Sequence, residues 1–90
     1  MSVIKVLIVD DHQLVRDGLK LIVETNKRFD IVGEAENGQV ALRLIDELKP
    51  DVILLDLNMP VMSGMEVMEV LSNNQGDIAV IIVTTYNEDA

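Results

Sequence analysis

Two apolar runs in this 90-residue chain end in carboxylates: Val6 to Val9 is followed at once by Asp10 and Asp11, and Val52 to Leu55 by Asp56. Adjacent like charges repel and raise one another's pKa unless a cation, water or hydrogen-bond donors hold them ionised. Oxygen-only ligands suit a hard ion, and Mg²⁺ commonly binds through one or two carboxylates, retained waters and a phosphate oxygen. If the two runs are neighbouring strands, a spacing of about 4.8 Å brings Asp10, Asp11 and Asp56 within reach of one ion. A third run, ending at Val83, is closed by the hydroxyls of Thr84 and Thr85. Taken singly, each acid has a plain structural reading, with Asp11 capping a helix and Asp56 opening a turn. Taken together, with Thr84 at the end of another such run, they weigh toward a shared metal site.

The elements that must position these groups follow from hydrophobic periodicity. Val3 to Val9 is nearly continuous in apolar, β-branched residues, as expected of a strand buried on both faces. From Gln13 the spacing turns helical through Val15, Gly18, Leu19 and Ile22, with Arg16, Asp17, Lys20 and Glu24 elsewhere on the wheel, and this helix ends near Asn26. Phe29, Ile31, Gly33 and Ala35 alternate with Asp30, Val32 and Glu34, which predicts a short strand closer to a sheet edge. Asn37-Gly38 forms a turn or cap, and Val40, Ala41, Leu44, Ile45 and Leu48 mark a second helix that Pro50 stops. Val52 to Leu55 is a buried strand, Gly64 to Ser72 a third helix, Asn73 to Asp77 a loop, and Ile78 to Thr84 a fourth strand. The order βαβαβαβ implies right-handed parallel crossovers, hence an α/β doubly wound sheet with helices on both faces. In such sheets ligands bind beyond the carboxyl ends of the strands, where strand order reverses.

Composition narrows the function classes. The chain reads as a single domain over residues 1–90, and its 49% hydrophobic content suffices for a core. A net charge of -9 disfavours direct binding to nucleic acid or an anionic membrane surface. With no cysteine there is no disulfide or thiolate metal site. No apolar run approaches membrane-spanning length and no signal-peptide pattern opens the chain, so a cytoplasmic location is expected.

The segments "LIVDDH", "DVILLDLNMPVMSG" and "VIIVTT" resemble the receiver domain of two-component response regulators, and "DDHQLVRDGL" is closest to the NarL/LuxR-type subfamily. The similarity covers the whole chain. It implies a flavodoxin-like fold and Mg²⁺-dependent phosphoryl acceptance by Asp56 from a sensor histidine kinase, regulating an output such as transcription. It further implies that Asp11 ligates Mg²⁺ directly, Asp10 mainly through water, Asp56 itself, and Asn58 through its backbone carbonyl. Thr84 would be the hydroxyl that moves toward the phosphoryl group, with Thr85 in the small-residue position after it.

The chain departs from that pattern at its end, before the fifth strand with its phosphoryl-contacting lysine and the fifth helix. Lys5 and Lys49 are poor substitutes, about 17 and 23 Å along extended chain from Asp10 and Asp56. The family's aromatic switch residue is also missing, and Tyr86 does not replace it. Strand 4 would then be a long apolar edge, which predicts strand-exchanged self-association, a homodimer through that edge, or only marginal stability. His12 is expected to tune the site from the first helical turn rather than bind metal. Met59, Met62, Met65 and Met68 are expected to fill core and loop, with an adaptable partner surface as the alternative. Leu14 and Leu21 lie off the core stripe of the first helix, where kinase recognition competes with ordinary packing. Two other functions remain in play. A small aspartyl-phosphate phosphatase is disfavoured because no second acid follows Asp56 two residues on. A non-phosphorylated interaction module would keep the fold without the switch.

Overall fold

The computed structural model describes residues 3–56, 64–73 and 78–83. They form β1 (Ile4–Val9), α1 (Gln13–Val23), β2 (Phe29–Ala35), α2 (Gly38–Leu48), β3 (Val52–Leu55), α3 (Gly64–Asn73) and β4 (Ala79–Ile82). The four strands make one parallel sheet in the order β2-β1-β3-β4. The chain steps from β1 outward to β2 and then returns past β1 to β3, so strand order reverses between β1 and β3. Their carboxyl ends are where Asp10 and Asp56 emerge.

Both faces of β1 are buried, as the unbroken apolar run requires: Leu7, Ile8 and Val9 have no exposed surface. Leu7, Val9, Ile53 and Leu55 face one way and meet Ala35, Ala41, Ile45 and Val67 in the core beneath α2 and α3. Val6, Val52 and Leu54 face the other way, toward α1. Asn37 caps α2, its side-chain oxygen accepting from the Val40 N–H at 2.9 Å, which satisfies a donor the helix leaves unpaired. Lys49 closes α2 in the left-handed conformation, φ 51°, and its N–H donates to the Ile45 carbonyl.

Three details differ from expectation. The first helix stops at Val23 instead of Asn26, where the Thr25 hydroxyl turns back onto the Ile22 carbonyl at 2.7 Å. Its buried residue is Arg16, while Ile22, placed on the apolar stripe, is 67% exposed and lines an apolar cavity of about 340 Å³ with Val23, Phe29 and Leu54. Third, β2 does not alternate strictly. Its pairing with β1 runs Val6 to Ile31 and then Leu7 to Gly33, so Val32 is an extra residue in the ladder. That bulge reverses the phase. Phe29 faces the α1 side, whereas Gly33, an even number of residues on, faces α2.

Gly33 sits where α2 crosses β2 closely. A Cβ there would lie 3.0 Å from Leu48 Cδ1 and 3.4 Å from Leu7 Cδ1. Substitution Gly33→Val is expected to overpack this contact and cost about 1–3 kcal/mol in urea unfolding. Adding Leu48→Ala should recover part of the loss, since it removes the nearest obstructing atom.

Candidate functional site

The backbone places the acids before any side chain does. The Asp56 N–H donates to the Val9 carbonyl at 2.9 Å, and the Asp10 N–H donates to the Ala35 carbonyl at 3.0 Å. Asp10 is thereby tied to β2, and Asp56 to β1. Both acids are 1% exposed. Asp11 is partly exposed at the rim. The N-cap position of α1 belongs to His12, whose side chain makes no capping hydrogen bond. Asp11 therefore does not cap the helix.

Asp10 folds back on the chain instead. Its Oδ1 accepts from the His12 backbone N–H at 2.8 Å, and the His12 ring brings Nδ1 to 3.3 Å from the same oxygen and 2.9 Å from Asp11 Oδ1. One potential ligand atom each from Asp10, Asp11, His12 and Asp56 lies within 4.8 Å of the others. Asp10 Oδ2 is buried and accepts no hydrogen bond from the described residues. Leaving a buried charged oxygen unsatisfied costs several kcal/mol, roughly, so the arrangement calls for a cation. The donor set, hard oxygens with one imidazole, fits a divalent ion.

The nearest guanidinium is committed elsewhere. Arg16 Nη1 donates to the Asp10 backbone carbonyl, Nε to Glu34 Oε1 at 3.0 Å and Nη2 to Gln13 Oε1 at 2.7 Å. Lys20 Nζ donates to the other Glu34 oxygen at 2.7 Å. The Lys20 hydrogen bond holds the Glu34 carboxyl below its ordinary range against a smaller opposing effect of burial, and Arg16 adds to the depression. The same bond to Glu34 raises Lys20. The cluster ties α1 to β2 and pins the carbonyl of the very residue that offers its carboxylate to the site. Helical spacing sets Arg16 off the apolar stripe and does not by itself reveal this cluster, because its partners are brought together only by the fold. The available signal was Arg16 and Lys20 at i, i+4, which share one helix face.

Of the expected site residues, Asp10, Asp11 and Asp56 come together. Asn58, Thr84 and Thr85 lie outside the described residues, as do Tyr86, Met59, Met62 and the side chains of Met65 and Met68. Strand β4 leads toward the site, since the Val83 N–H donates to the Leu55 carbonyl at 2.9 Å. Lys5 is at the opposite end of the sheet, as its spacing implied, with Nζ on the Leu48 carbonyl at 3.1 Å.

A parallel sheet whose order reverses beside a buried acid pair defines a class, and comparison with known proteins gives it a family. The response regulator receiver domain family matches residues 6–90. The chain belongs to that family and is the receiver domain of a two-component response regulator. It is 61% identical over 85 residues to the transcriptional regulatory protein YdfI of Bacillus subtilis, covering 94% of this chain and 39% of that protein. It is 45% identical over 86 residues to the response regulator GacA of Pseudomonas aeruginosa, covering 96% and 40%. Among solved structures, the signal receiver domain of NarL from Mycobacterium tuberculosis superposes with a TM-score of 0.89 at 32% identity, covering 99% of this chain and 72% of that one. The response regulator domain of Thermotoga maritima CheB gives 0.86 at 37% identity, covering 97% and 64%. The chain thus spans about two fifths of the length of the curated relatives it matches.

Because the Glu34 carboxyl titrates lower in the folded chain than its ordinary 4.5, its contribution to stability is complete above that value and is lost as pH falls through the depressed one. The stability advantage of the parent protein over Glu34→Gln, read from urea midpoints, should be constant near neutrality and shrink progressively as pH falls below 4.5. An advantage independent of pH would overturn this role for Glu34.

Proposed function

We propose that Asp56 is a phosphoacceptor, taking a phosphoryl group from a sensor histidine kinase in a phosphorelay, with Mg²⁺ held by Asp10, Asp11, Asp56 and the Asn58 backbone carbonyl. The observation that carries this is the burial of Asp56 at the strand-order reversal, with Asp10, Asp11 and Asp56 each offering an oxygen within 4.8 Å of the others. An Asp56 oxygen forms a bond to phosphorus while the bond from phosphorus to the donor breaks, and the donor leaves with the electron pair. Both partners are anionic, so alignment and charge neutralisation supply most of the acceleration. A bound Mg²⁺ supplies that neutralisation. The chain's own contribution is to fix the acids: the Val9 carbonyl holds the Asp56 backbone, and Arg16 with the Ala35 carbonyl holds Asp10.

The acyl phosphate adds about -1.5 to -2 charges and strong acceptor oxygens. In this proposal Thr84 turns its hydroxyl to that group, Thr85 leaves room beside it, and the movement biases a partner surface. The similarity to transcriptional regulators supports an output in transcription, delivered by a region other than this acidic domain, in the cytoplasm. None of the helices described is long and apolar enough to cross a membrane. Among the described strands β4 is an edge, with Ile81 and Ile82 exposed, which supports self-association through that strand.

The test is the intact mass after incubation with acetyl phosphate. The parent protein with Mg²⁺ should gain one phosphoryl group, while Asp56→Asn, or the parent with chelator, should gain none. Asp11→Asn should slow the gain by ~10-fold or more, since even groups outside the ligand shell are worth that much at metal sites. An Asp56→Asn protein phosphorylated as fully as its parent would remove Asp56 from the role.

A further inference from the structure

His12 completes the cluster. Oxygen ligands alone suffice for a hard ion, and the first helical turn has no need of an imidazole there. Yet the ring is turned onto the acids, with Nδ1 2.9 Å from Asp11 Oδ1 and 3.3 Å from Asp10 Oδ1. In an octahedral shell with bonds of about 2.1 Å, adjacent ligand atoms are about 3.0 Å apart. The two observed separations bracket that value. Asp10 Oδ2, the second oxygen of that carboxylate, is buried and without a hydrogen bond from the described residues, and Asp10 belongs to the same group of potential ligands. We infer that His12 is a metal ligand, and that Nδ1 with Asp10 and Asp11 makes a mixed nitrogen and oxygen site that binds Ni²⁺ or Co²⁺ through the imidazole, beyond the hard ion the carboxylates take alone.

The inference rests on the reading of Asp10, Asp11 and Asp56 as cation ligands. Its chemistry is that borderline divalent ions readily take imidazole, whereas Mg²⁺ dehydrates reluctantly and takes oxygen. The site would therefore respond to which divalent ion is present. It would hold borderline ions more tightly than Asp10, Asp11 and Asp56 do unaided.

His12 is the single histidine of the chain, and there is no cysteine, so any imidazole ligation is assigned to His12 without a competing imidazole or thiolate. Its side chain is 60% exposed, so His12→Phe leaves the core untouched. The experiment is calorimetric titration of tag-free parent and His12→Phe with Ni²⁺ and with Mg²⁺, together with the visible spectrum of the Co²⁺-loaded proteins. The expected result is a Ni²⁺ affinity at least ~10-fold weaker in His12→Phe, Mg²⁺ affinity within about twofold of the parent, and a Co²⁺ spectrum that changes on substitution. Equal Ni²⁺ affinities, or Ni²⁺ and Mg²⁺ affinities that fall together, would overturn imidazole ligation while leaving the carboxylate site standing. Failure of either ion to bind either protein would overturn the carboxylate site and this inference with it. Ni²⁺ binding unaltered by Asp11→Asn would place the ion elsewhere and overturn the inference alone.

Discussion

Mutual repulsion of carboxylates gathered at one end of a sheet is the constraint on which the rest of this structure depends. Asp10 and Asp56 are almost wholly buried, and nothing in their own chemistry would bring them there together. What does so is backbone pairing. The register that sets Val9 opposite Leu55 places the following residues side by side, and the apolar interior behind them makes any slip expensive, because a one-residue shift turns every side chain to the other face. The core is the anvil against which the acids are held.

The same logic explains the division of labour between the two kinds of charge. Among the described residues, Arg16 and Lys20 direct their charge away from the Asp10 carboxylate. Arg16 spends its donors on a backbone carbonyl, on Glu34 and on Gln13, and Lys20 spends its ammonium on Glu34. An arginine aimed at the Asp10 carboxylate would occupy it permanently. Binding the carbonyl of Asp10 positions the residue while keeping its carboxylate available. Burial of Arg16 is consistent with that use, because its fork is satisfied in three directions.

The main outline of the fold was legible in the chain because it rests on uninterrupted apolar runs and clear helical spacing. Val6 to Val9 and Val52 to Leu55 announce buried parallel strands, and the acids that end them announce the site. Three features resisted reading for specific reasons. Arg16 looks like a solvated charge because its partners, a carbonyl and Glu34, are brought to it only by tertiary structure. Ile22 looks like a core residue because spacing cannot tell the side of a helix that meets the sheet from the side that borders a cavity. The bulge at Val32 is invisible because a β-branched residue suits a strand whether or not it pairs. Asp10 and Asp11 were readable as a pair, but the geometry of His12 over them was not, since a ring's direction depends on where its backbone enters the helix.

The extra residue in β2 gives that strand two grammars. Before Val32 the strand sets Phe29 toward α1, and after it Glu34, an odd number of residues away, looks the same way. Without the offset, Glu34 would point into the apolar layer under α2 and Gly33 would stand where the salt-bridged cluster now lies. An insertion of one residue has therefore done the work of several substitutions, exchanging the sides on which charge and close packing are read. In the lineage of this domain, lengths within the edge strand should vary under tighter restraint than residue identities there, because a change of length inverts the meaning of every position that follows.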